Sequence, residues 1–208
     1  MQIPNEIRKS VVFLGYSKKV KGGDSIDKPI LKGTGFFVGV ENDDNGKLLY
    51  LVTAHHIIAK IKEQKLSDHI VIRINKKEGG FDHVPVPIGD FISHPSYKDI
   101  AVLLLTPNLL PKYDQYDFHF IPDTMLVTKE IMQEHNISLG DEVFMTGLFI
   151  FRSGERKNIP IIRVGNIAAM PEEPINETML GKNRCLFGRI KVFRGTKRFS
   201  CFYLSIRC

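Results

Sequence analysis

The chain has 208 residues, 43% of them hydrophobic, with 14 Phe and 6 Tyr, enough for one globular unit or two small packed subdomains and too aromatic for a disordered chain. No apolar run approaches the roughly 18 residues of a membrane span, and the apolar stretch at 11–14 is too short for a secretory leader, so a membrane protein is excluded and the expected location is cytoplasmic. The net charge of +6 describes a tail: eight of the 29 basic residues and no acid lie in 181–208, leaving 21 basic against 23 acidic residues in 1–180, which disfavours a nucleic-acid partner.

In chain order, short apolar runs separated by turn residues predict strands at 10–16, 35–40, 48–53, 69–74, 84–86, 100–105, 142–149, 159–164 and 165–170. Asn45-Gly46, Gly79-Gly80 and several prolines supply the turns. Helices are predicted at 55–64, directly after a strand, and at 128–135, between Pro122 and Gly140. Many short strands with few helices predict an all-β sandwich or a pair of barrels. The Tyr- and Asp-rich stretch 107–123 is the expected crossing between two halves. Cys185, Cys201 and Cys208 all fall in the basic segment with no CxxC, so neither a disulfide framework nor a zinc site is expected.

Three local sequences carry chemistry together. Gly33-Thr34-Gly35-Phe36-Phe37-Val38 opens a strand, and glycine there lets backbone come close to a neighbour or ligand. The apolar run 48–52 ends in Thr53-Ala54-His55-His56. Asp99 stands immediately before the apolar run 100–105, where a carboxylate is costly to desolvate without a partner. A histidine at the end of another strand can be that partner, with one ring nitrogen held by the acid and the other left as a base. Taken singly, each piece has a plainer reading as a turn, a solvated histidine pair or a strand-edge charge. A metal site from His55, His56 and His94 is discounted, because neighbouring histidines do not readily turn toward one ion from a strand end.

The order GTGF, then T-A-x-H, then D-I-A-V some 43 residues later resembles the trypsin-like (chymotrypsin-fold) serine proteases, most of all the small bacterial cytosolic type. Gly140-Asp141-Glu142-Val143-Phe144-Met145-Thr146-Gly147 and Ile161-Ile162-Arg163-Val164-Gly165-Asn166-Ile167 resemble strands of that family's second barrel, so the likeness spans roughly 8–175. The resemblance implies two packed antiparallel β-barrels with the active site between them, the second incomplete at its C-terminal end. It divides the chain into an N-terminal barrel at 1–115 with His56 and Asp99, a partial C-terminal barrel at 116–180, and an aberrant basic tail at 181–208. It also implies a Ser-His-Asp mechanism on protein or peptide substrates with no cofactor. His56 takes the histidine of T-A-x-H, His55 the variable position, and Asp99 the acid of D-I-A-V.

The family's nucleophile loop, G-x-S-G-G-P or G-x-S-G-S-P, is missing, since the chain after Glu177 contains no S-G pair. One reading is a divergent basic tail; a second, which the genetic code allows, is that these residues are translated out of frame. Codons compatible with 195–202, read one nucleotide later, spell G-L-S-G-S-P-V-F, and the same shift over 184–189 permits D-A-Y-L-V-E. The expected cause is a frameshift that places Lys197 where the serine belongs. Ser200, between Phe199 and Cys201 with no flanking glycine, is not expected to replace it. The expectation is an inactive relative of the endopeptidases. The alternatives are a peptide-binding pseudo-protease and an anion-binding module built on the basic tail. The apolar, acid-free segment 200–206 is expected to lower solubility or stability unless it pairs in a sheet.

Overall fold

Val11–Tyr16 (β1) is a run of apolar residues with all six positions buried, so it is a strand covered on both faces rather than one with a wet side. A computed structural model describes residues 4–17, 28–43, 46–95, 99–149, 153–168, 190–193 and 201–204, the last two segments as backbone alone. β1 pairs antiparallel with β2 (Ile30–Glu41) on one side and β4 (His69–Asn75) on the other. β2 continues to β3 (Lys47–Thr53) and β3 to β7 (Ala101–Leu105). The ladder ends in β5 (Phe81–Pro87) beyond β4 and β6 (Ile92–Ser93) beyond β7.

The order β5-β4-β1-β2-β3-β7-β6 forces the sheet to curl. Its two outermost strands are consecutive in the chain, with β5 ending at Pro87 and β6 starting at Ile92. A flat ladder of this size would hold its edges about 29 Å apart, whereas that link reaches at most about 18 Å. The result is a curled antiparallel half-barrel with Leu14, Phe37, Leu51, Ile70, Ile72 and Leu103 on one face and Phe13 and Phe36 on the other, each nearly or fully buried. Each such side chain contributes about 1.5–3 kcal/mol by leaving water.

Local sequence sets the pieces around this core. α2 (His55–Glu63) buries Ile57, Ile58 and Ile61 on one face, with Lys60 and Lys62 in its last turn where the helix dipole favours cations. Gly33 makes room for it, because a Cβ there would collide with Ile57 Cδ1. α1 (Asn5–Arg8) anchors through buried Ile7, and the Thr128 side chain accepts from the Ile131 N–H to cap α3 (Lys129–Glu134). Between 107 and 126 the chain runs along the first sheet, burying Leu110, Tyr116 and Ile121, and β8 (Ile121–Pro122) adds to β2 in parallel.

A second sheet has the order β10-β9-β12-β11, from β9 (Glu142–Gly147), β10 (Ile161–Asn166), β11 (Ile190–Phe193) and β12 (Cys201–Leu204). Its buried Phe144, with Leu148, joins the hydrophobic cluster of the first sheet, so the two sheets share one core. The molecule is therefore mostly β, as the strand pattern predicts, but its described residues form a half-barrel and a four-stranded sheet rather than two complete antiparallel barrels. β12 runs parallel to β9 (Cys201 opposite Val143, Phe202 opposite Phe144), which departs from the antiparallel expectation. Register is set by which residues face inward, and CFYL, apolar at all four positions, carries no such alternation. The 201–204 part of the suspect apolar segment is paired on both sides, by β9 and β11.

The expected break between strands at 159–164 and 165–170 is also corrected. β10 is one strand whose ladder passes through Gly165 (opposite Val143) to Asn166 (opposite Glu142). Gly165 is not among the glycines with positive φ, so nothing turns the chain there. Residues 169–170 lie outside the described residues.

Candidate active site

β3 ends at Thr53, a fully buried residue whose hydroxyl donates to the Thr34 carbonyl at 2.9 Å. This bond ties the histidine-bearing end of β3 to the GTGF strand. The chain then turns through Ala54, in extended conformation, into α2, and His56 is the second residue of that helix. The first backbone N–H groups of a helix have no partner within it, and Ala54 has no side chain to cap them.

Asp99 supplies the missing acceptor from across the sheet. Its Oδ1 accepts the His56 backbone N–H at 2.8 Å, and its Oδ2 lies 2.6 Å from His56 Nδ1. One carboxylate thus caps the helix and fixes the ring borne by the same residue. The Asp99 side chain is 11% exposed and the His56 side chain 36%, so the acid is sheltered while the ring reaches toward solvent. Burial pushes the Asp99 carboxyl up. The His56 ring and backbone hydrogen bonds, with the positive fields of His56 and His55, outweigh it and hold the group below its ordinary value of 3.8.

With an ionised acceptor at Nδ1, the neutral ring carries its proton on that nitrogen and its basic lone pair on Nε2. When Nε2 takes a proton, the carboxylate stabilises the imidazolium. The arrangement can therefore serve general acid–base chemistry. The two residues that spacing singles out, His56 and Asp99, are brought together.

Strand register explains why they meet. Thr53 of β3 and Ser93 of β6 both stand opposite Ala101 of β7, forming one row across three strands. The His94 N–H donates to the Ile100 carbonyl at 3.0 Å and closes a hairpin whose return arm carries Asp99. The same row brings His55 Nδ1 to 2.7 Å from Ser93 Oγ, a contact that sequence reasoning missed. Ser93 lies in a two-residue strand with no periodicity to reveal its facing. His55, His56 and His94 do not gather, for no cluster of three potential metal ligands occurs among the described residues.

A second polar junction, also unforeseen, binds the two sheets. Arg73 is 4% exposed on β4, donates from Nη1 and Nη2 to the carbonyls of Ser153 and Gly154 (2.6 Å each), and stacks 3.7 Å from the centre of the Phe81 ring. Asn75 and buried Asn158 exchange hydrogen bonds beside it. No motif marks these residues; only the register of β4 puts them on its outer face.

Lys197, Ser200, Cys185, Cys208 and the 184–189 segment lie outside the described residues, and Cys201 is described as backbone in β12. No helix among the described residues is long and apolar enough to cross a membrane. No family model, curated protein or solved structure matches the chain.

Proposed function

We propose that this chain is a relative of the trypsin-like serine endopeptidases in which His56 is the general base and Asp99 its orienting acid, and in which a change of reading frame near the C-terminal end has removed the nucleophile. What carries the reading is the two-point hold of Asp99 on His56, through backbone N–H and ring together. A strand-edge charge needs neither bond, and a simple helix cap only the first. The curled antiparallel sheet that bears both residues is consistent with the first of two barrels, and the cytoplasm is the compartment proposed for it.

In the complete form a serine hydroxyl from the loop now overwritten at 195–202 attacks the scissile carbonyl as Nε2 of His56 takes its proton. Backbone N–H groups of that loop hold the oxyanion, and the imidazolium then gives its proton to the departing amine. No cofactor takes part. In the present chain Lys197 occupies the nucleophile's place. A lysine brings no hydroxyl for His56 to activate, and losing a triad serine costs on the order of a million-fold in turnover. The chain as written is therefore expected to cleave no peptide bond.

The test restores the other frame. Replacing 184–189 by D-A-Y-L-V-E and 195–202 by G-L-S-G-S-P-V-F is expected to yield peptide cleavage that His56→Ala abolishes. A folded restored chain that cuts nothing, or a nucleotide sequence over codons 178–208 that excludes the shifted reading, would overturn the proposal.

A further inference from the structure

The hairpin that carries Asp99 is gripped on both arms by consecutive histidines. On the return arm, His56 meets Asp99 through two contacts of 2.8 and 2.6 Å. On the outgoing arm, His55 Nδ1 lies 2.7 Å from Ser93 Oγ. β6, the outgoing arm, has two residues and an outer edge with no strand beyond it among the described residues, and its Ile92 is 70% exposed. Packing therefore holds this arm weakly, and the exposed side-chain bond to the start of α2 adds to its pairing with β7. Because His94 closes the hairpin onto Ile100, movement of Ser93 passes directly to the residues beside Asp99.

We propose that His55 and Ser93 are a positioning pair for the dyad: their bond fixes the outgoing arm of the hairpin and thereby keeps the Asp99 carboxylate in register with both His56 groups. The pair touches no substrate. Its importance for catalysis rests on the protease reading; its effect on the hairpin does not. The positive field of His55, which helps hold the Asp99 carboxyl down, gives the pair an electrostatic share in the same task.

The experiment follows the His56 Nδ1 proton and the exchange of the His56 backbone N–H by NMR on the full chain. In the parent, a far-downfield, slowly exchanging Nδ1 proton is expected. Ser93→Ala is expected to speed exchange at both His56 sites about five- to tenfold, the worth of one hydrogen bond, while the Phe37 amide of the core is unchanged. Ser93→Thr, which keeps the hydroxyl, should restore the parent rates. His55→Ala should match Ser93→Ala, with no further effect in the double variant. In the frame-restored chain Ser93→Ala should lower kcat and leave KM in place. Unchanged exchange in a folded Ser93→Ala variant would overturn the pair while leaving the dyad standing. Absence of the downfield proton in the parent would overturn both. Faster exchange in Ser93→Ala beside an inactive restored chain would keep the pair and remove the protease reading.

Discussion

The two sheets earn their stability differently. The first covers β1 on both faces and fills its curl with its own phenylalanines and branched residues. In the second, Val164 on β10 is 59% exposed, as is Ile159 (51%) in the connection before it. Its buried Phe144 packs into the cluster shared with the first sheet, and the 153–158 connection is held by Arg73 and Asn75 from β4. His56 and Asp99 belong wholly to the self-sufficient side. Among the described residues, the contacts that hold the acid to the base come from β3, α2 and the β6–β7 hairpin.

The largest break in this comparison is expected from Arg73→Ala. It removes two charge-assisted hydrogen bonds and leaves two carbonyls without them, a loss of about 2–4 kcal/mol by denaturant unfolding. Arg73→Lys should recover little, since an ammonium cannot fork between both carbonyls. Hydrogen exchange should rise in β9 and β10 while β1 stays protected, if the second sheet leans on the first.

Gly33→Ala attacks the site from below. The new methyl meets Ile57 beside His56 and is expected to cost about 1–3 kcal/mol of overpacking, with loss of the downfield His56 signal. The equivalent enlargement at Gly147, which meets nothing within 4 Å, should be nearly silent.

Acid sharpens the electrostatics. The folded Asp99 carboxyl lies below its ordinary value of 3.8, so the unfolded chain binds more protons between the two values. The stabilisation is complete above about pH 4 and is lost as pH falls through the folded value. Asp99→Asn should flatten that acid limb when unfolding midpoints are followed from pH 6 to pH 2. The smallest effect belongs to the surface: breaking the exposed Glu41–Lys47 pair (3.9 Å) should change stability by about 0–1 kcal/mol.

Strands with dense apolar runs, such as β1, β3 and β7, were legible in the sequence because burial selects their composition. β2 begins five residues before its expected start, since Lys32 and Gly33 break the apolar pattern that backbone pairing to β1 ignores. β6 and β8 are too short for any period to register. At the site, residue type and order pointed to His56 and Asp99, but not to the acid's second bond, to the helix N–H. Ser93 and Arg73 were invisible for one reason: their roles come from which strand lies beside which, and one-dimensional spacing does not encode it.

A fluorophosphonate, which reacts only with an activated serine, tests the proposed loss of the nucleophile most directly. Offered to this chain and to its frame-restored form side by side, it should label the restored form at one site, lose that labelling with Asp99→Asn, and leave the present chain untouched. Stoichiometric labelling of the present chain, or none of a folded restored chain, would contradict the account.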